Sequence, residues 1–206
     1  MTKPKQRSLP TGPVGAGTAA GAPSTFPIVG VGASAGGLEA FRRLLGALPR
    51  STGMAYVLVQ HLDPYHESIL AELLSEVTQM EVAEVKGDVR VAPNQVYVIP
   101  PSKGLILADG MLKLVPRGPP GVAHMPIDSF LKTLADVQGS QAIGVILSGM
   151  GTDGTLGLQA IEAAGGIAFA QEPTSAQNAD MPRSAIAAGG VDFVLTPEDI
   201  ASELKR

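Results

Sequence analysis

A doubly wound α/β fold, with a mostly parallel sheet covered by helices on both faces, is predicted by three features of this sequence. Short runs rich in β-branched residues are apolar at consecutive positions, which is how strands buried on both faces read. These runs alternate with stretches of helical periodicity, the order expected of a parallel sheet with crossover helices. In the middle of the chain the rhythm changes to closely spaced strands around Asp109-Gly110, a hairpin turn signal, so an antiparallel hairpin addition is expected there. At 206 residues, with 45% hydrophobic and 17% charged residues, the chain can bury one large core.

In chain order, residues 1–25 are dominated by Gly, Ala, Pro, Ser and Thr without apolar periodicity and read as a flexible tail. The folded domain is expected over 26–206. It opens with a strand at 28–31, a helix at 38–47 and a strand at 55–59. A second helix fits 67–77, where Ile69, Leu70, Leu73, Leu74 and Val77 recur at helical spacing. Runs at 96–99, 105–107 and 112–115 form the antiparallel region. A strand at 143–147, a helix at 156–164 and strands at 167–170 and 193–195 complete the pattern.

A net charge of −4 gives no long-range attraction to nucleic acid or anionic lipid. The absence of cysteine excludes disulfides and thiolate metal sites. No apolar run approaches the roughly 20 residues of a membrane span. The basic start (Lys3, Lys5, Arg7) is not followed by a compact apolar stretch, so a cytoplasmic protein without membrane insertion is expected.

Three loops carry the chemistry. After the first strand, Gly32-Ala33-Ser34-Ala35-Gly36 matches G-x-S-x-G, in which a tight strand-to-helix turn displays a serine hydroxyl. The same loop reads as Gly30-x-Gly32-x-x-Ala35, a dinucleotide-binding variant, and on the loop alone the two are evenly matched. A dinucleotide site needs an acid at the tip of the following strand. Here that strand ends in Gln60-His61, with Asp63 further on, which favours the serine reading. His61 suits general-base work, because free imidazole titrates near neutral pH. The third loop, Ser148-Gly149-Met150-Gly151-Thr152-Asp153-Gly154, follows a buried strand and offers a carboxylate to orient the imidazole. Backbone N–H groups near Ala35, Met150 and Gly151 are candidates to hold an oxyanion. Three residue types needed for acyl transfer thus follow three strands, whose ends meet on one edge of a parallel sheet.

Simpler roles compete. Ser34 could cap the following helix, Asp153 could be a turn or cap residue, and His61 could be a partly buried, satisfied histidine. His61, Asp63, His66 and Glu67 also suggest zinc, but the spacing is not H-E-x-x-H and only His124 remains as a further histidine. No metal or organic cofactor is therefore expected. Glu72, Glu76, Glu81 and Glu84 read as solvated faces, and Met125, Met150 and Met181 as packing residues.

The segments 28–37 (IVGVGASAGG), Gln60-His61-Leu62-Asp63-Pro64, Tyr97-Val98-Ile99-Pro100-Pro101, 147–154 (LSGMGTDG) and Ala170-Gln171-Glu172-Pro173 resemble, in order, the catalytic domain of the CheB-type chemotaxis-receptor methylesterases. The resemblance implies a doubly wound α/β domain with Ser34 as nucleophile, His61 as base and Asp153 as its orienting partner. It further implies demethylation of glutamate γ-methyl esters on cytoplasmic helices of chemoreceptor-like proteins, with glutamine deamidation as a side activity. The chain departs from the receiver-linked members in having a Gly/Pro-rich tail before the domain. It also has Ala35 where many members have threonine, and it lacks an arginine often found after His61. In style it is closer to modules fused to methyltransferase and sensor domains. A non-catalytic docking module that keeps the fold is the competing reading.

Overall fold

The structure, a computed structural model, describes residues 25–61, 69–118 and 124–206. Its centre is β1 (Ile28–Ala33), buried at every position because it has neighbours on both edges and helices on both faces. After α1 (Gly37–Gly46), the chain adds β2 (Ala55–Gln60) in parallel alongside β1. A short helix α2 (Leu70–Ser75) leads to β3 (Glu81–Glu84), β4 (Val89–Arg90) and β5 (Gln95–Val98). The hairpin β6 (Lys103–Ala108) and β7 (Met111–Pro116) precedes α3 (Pro126–Gln138). The second half runs β8 (Ala142–Ile146), α4 (Thr155–Ala163), β9 (Ile167–Gln171), α5 (Asp180–Ala187), β10 (Phe193–Leu195) and α6 (Pro197–Glu203).

The main sheet has the order β10-β9-β8-β1-β2-β5-β3, and every pairing in it is parallel. Its first half winds outward from β1 through β2, and its second half winds the other way from β8 through β9 and β10. The direction reverses between β1 and β8, the place where open α/β sheets form a crevice beyond their strand ends. Two apolar clusters cover the faces: α1, α2 and α6 lie over one, and α3, α4 and α5 over the other.

The predicted fold class stands, with local corrections. Residues 96–99 were expected in the antiparallel region, but β5 pairs in parallel with both β2 and β3. A continuous apolar run fits either setting, and only the pairing decides. The hairpin is as expected, with Asp109 and Gly110 both at positive φ (55° and 70°), as a two-residue turn between twisted strands requires. It does not extend the main sheet. It joins β4 in a separate three-stranded sheet that packs against α3.

Helix α2 is shorter than the predicted 67–77, and Ile69, expected on its apolar face, is 61% exposed at its start. Phe193 and Val194 are 39% and 43% exposed, because β10 is an edge strand. The tail assigned to residues 1–25 lies almost wholly outside the described residues. Helix α3 was not anticipated, although Ile127, Phe130, Leu131, Leu134 and Ala135 follow helical spacing behind a proline in the first turn.

Helix α3 explains two glycines of β1. A Cβ on Gly30 would come within 2.6 Å of Leu131 Cδ2, and one on Gly32 within 2.3 Å of Ile127 Cγ2. Both glycines let the helix lie directly on the strand. A Gly32→Ala variant should therefore lose about 1–3 kcal/mol of stability through overpacking, since a β-branched isoleucine cannot swing aside. Chemical denaturation measures this, and an unchanged midpoint would contradict the close-approach account.

Candidate active site

Ser34 follows the last residue of β1 and lies just before α1. The turn is made by Gly36, the residue preceding the helix, at φ 78°, a left-handed conformation that favours glycine. No side chain caps α1, so Ser34 is not serving as its cap. The elbow is held through its backbone instead. The Ser34 N–H donates to the Ser148 carbonyl (3.0 Å), the Gly37 N–H donates to the Ser34 carbonyl (2.9 Å), and Gln60 Nε2 reaches that carbonyl at 3.4 Å.

Ser148, buried at the end of β8, is the junction. Its hydroxyl donates to the Ala35 carbonyl (2.8 Å) and accepts from the Asn178 N–H (2.9 Å), while its N–H donates to Gln171 Oε1 (2.9 Å). The next residue must be small, because a Cβ on Gly149 would sit 3.0 Å from both Cβ and N of Ser34.

Asp153 lies in the loop between β8 and α4 and is 2% exposed. A buried carboxylate is tolerable only when its oxygens are paired. Oδ2 accepts from the Ile127 N–H (3.0 Å) and contacts His61 Nε2 (2.7 Å), and Oδ1 accepts from the Asp128 N–H (2.9 Å). Two of these donors belong to the first turn of α3, which lacks a cap of its own. The relation is reciprocal: Asp128 Oδ1 accepts from Gly157 N–H (2.7 Å) in the first turn of α4, itself uncapped by any side chain near its start. Burial, together with the nearby Asp153 carboxylate, pushes the Asp128 carboxyl above its ordinary range. Asp153 therefore does act as a cap, for a helix distant in sequence, and it binds the histidine with the same side chain.

His61 stands at the end of β2 with its side chain 34% exposed. Where Nε2 donates to Asp153, Nδ1 is the ring nitrogen left to accept. A second imidazole, His124, is close enough to feel both His61 and Asp153. Burial, then Arg117 and His61, hold it below the usual histidine range.

Ser34, Ala35 and His61 line one open cleft of about 870 Å³, together with Gln60, Arg42 and Gln177. Met150 and Gly151 lie on the Asp153 loop and not among the residues lining that cleft. Among the described residues, no hydrogen bond takes the N–H of Ala35, Met150 or Gly151. Met150, expected to pack inside, is 59% exposed, because the loop lifts it away from the core; Met181 is fully buried, as expected. Glycines 30 and 32 lie within β1 directly beneath α3, so helix packing accounts for them without a dinucleotide. Of the zinc candidates, Asp63, His66 and Glu67 lie outside the described residues, and among those described no group of three or more potential ligands converges.

The sequence reading missed Ser148, Gln171, Asn178 and Asp128. Ser148 and Gln171 did sit inside segments already singled out. Nothing local marks Asn178 or Asp128, whose roles depend on contacts across the fold.

Comparison with known proteins gives a consistent picture. The family described as CheB methylesterase matches residues 29–204. Among curated proteins, the protein-glutamate methylesterase/protein-glutamine glutaminase of Pectobacterium atrosepticum is 36% identical over 185 residues, covering 88% of this chain and 53% of the relative. The Salmonella typhimurium protein of the same name is 35% identical over the same coverage. The chain thus spans about half the length of these relatives. The crystal structure of the Thermotoga maritima CheB methylesterase catalytic domain superposes with a TM-score of 0.81 at 30% identity, covering 88% of this chain and 98% of that one.

The double duty of Asp153 predicts a contrast in stability. Asp153→Ala should cost about 2–4 kcal/mol, since two buried N–H groups lose their acceptor. Ser34→Ala should change stability by less than about 0.5 kcal/mol, because the half-buried hydroxyl is not a cap. Urea unfolding of the two variants makes the comparison, and equal midpoints would refute the capping role.

Proposed function

Because the chain belongs to the CheB methylesterase family, we propose that it is a serine hydrolase that removes the methyl group from glutamate γ-methyl esters on chemoreceptor-like cytoplasmic helices. The observation that carries this reading is the 2.7 Å contact between His61 Nε2 and buried Asp153, made beside a cleft that Ser34 and His61 share. Asp153 orients the ring and stabilises the imidazolium, so Nδ1 is the nitrogen that takes the proton from Ser34 Oγ.

The hydroxyl oxygen attacks the γ-carbonyl carbon, and the resulting oxyanion is met by the N–H groups of Ala35 and Met150, with Gly151 shaping the second loop. In other hydrolases one such donor is worth about 3–4 kcal/mol. Collapse of the tetrahedral intermediate breaks the bond to the methoxy group, which leaves as methanol with the proton from His61. Water, deprotonated by the same imidazole, then hydrolyses the acyl-enzyme to free the glutamate carboxylate and Ser34. With glutamine the leaving group is ammonia, which accounts for a deamidating side activity. No step needs a metal or an organic cofactor. The reaction belongs in the cytoplasm, and the resemblance to modules fused to methyltransferase and sensor domains supports work on a target held nearby in a larger assembly.

Ser34→Ala should abolish methanol release from a methylated receptor peptide, and a serine-reactive phosphonate should label Ser34 in the wild type. Full turnover in the variant would overturn the mechanism, and no labelling would favour a non-catalytic docking module. Ser148→Ala frees the Ala35 peptide and should lower kcat by about tenfold to a hundredfold with little change in KM, as expected when a donor moves by a fraction of an ångström. Steady-state kinetics separates the two parameters.

A further inference from the structure

Two adjacent arginines on α1 have opposite surroundings. Arg43 is saturated. Its Nε and Nη2 donate to the two carboxylate oxygens of Glu198 (2.7 and 2.8 Å), its Nη1 donates to the Ser175 carbonyl (3.3 Å), and Glu39 adds a further negative charge. This fork clamps α6 to α1. Arg42, one position earlier and so about 100° around the helix, is half-buried in the wall of the Ser34 cleft. Among the described residues it makes no hydrogen bond and no ion pair.

A guanidinium partly withdrawn from water, with its donors unused, suits a planar acid better than it suits solvent. The carboxamides of Gln60 and Gln177 line the same cleft; Glu39 lines it too and is a competing acid, but it makes no ion pair with Arg42 and its charge is also felt by Arg43. Arg42 lies roughly 8 Å along α1 from its first residue, at 1.5 Å per residue. Ser34 lies three residues before that helix start, so a carboxylate held at Arg42 falls about one to two turns along a helical substrate from an ester held at Ser34.

Resting on the function proposed above, we propose that Arg42 is a specificity residue that binds a carboxylate of the substrate one or two helical turns from the esterified glutamate. The enzyme would thereby select esters embedded in acidic stretches over isolated ones. Arg42 acts in binding and takes no part in the covalent steps.

The test uses two fluorescein-labelled helical peptides carrying a methyl-glutamate. One has Glu at the positions one and two turns away, and the other has Gln. Anisotropy titrations with the full chain should show the Glu peptide bound about fivefold more tightly by the wild type. That preference should shrink with added salt, vanish in Arg42→Gln, survive in part in Arg42→Lys and grow in Glu39→Gln. In turnover the same ratio should appear in KM and leave kcat unchanged. Comparing peptides within one variant cancels any loss of folded protein. A wild type that fails to discriminate, or an Arg42→Gln variant that still does, overturns the proposal. A preserved binding preference without methanol release from either peptide would instead bring down the esterase reading and leave the acid subsite standing.

Discussion

The buried carboxylate of Asp153 sits where three structural demands meet. It closes the open first turn of α3, it ties the loop after β8 to that helix, and it fixes the imidazole at the end of β2. A carboxylate this deep is tolerated because its oxygens are met by three partners at once, two backbone N–H groups and the imidazole. The loop conformation, the helix position and the histidine orientation are therefore one condition. Asp128 returns the favour to α4, so the two helices flanking the site are each capped by an acid from the other's neighbourhood.

The sheet supplies the place for this arrangement. The reversal of winding between β1 and β8 brings the serine loop and the aspartate loop side by side, with β2 adding the histidine from the next strand. Close approach then does the fine positioning. Glycines in β1 admit α3, Gly149 admits the serine, and Ser148 fastens both loops to the segment around Asn178. The elbow is stiff because its backbone groups are committed to neighbours, and among the described residues the Ser34 hydroxyl and the Ala35 N–H remain unspent.

Charge is divided with similar economy on α1. One arginine is consumed in holding α6, while the other lines the cleft and makes no ion pair among the described residues. In a chain with a net charge of −4, Arg42 places a cation without an ion pair on the wall of the Ser34 cleft, with Glu39 lining the same cleft, and a charge so placed bears on which partners the cleft admits.

Much of this was legible in the chain. Buried parallel strands reveal themselves as unbroken apolar runs, the Asp109-Gly110 turn has a sequence signature, and Ser34, His61 and Asp153 each stand just beyond a recognisable strand. These are local signals, decided by neighbours a few residues away. What the chain did not disclose depends on partners far apart in sequence. Residues 96–99 read as a strand, but whether it pairs in parallel or antiparallel is a matter of which strands lie beside it. Asp153 looked like either a cap or a catalytic acid, and only the packing of α3 makes it the cap of a helix 25 residues earlier while it holds His61. Arg42 and Arg43 are indistinguishable by type, and the position of α6 alone separates the clamped cation from the free one. Periodicity and turn chemistry are written along the backbone, whereas burial, pairing and unmet charge exist only once distant segments exclude water between them.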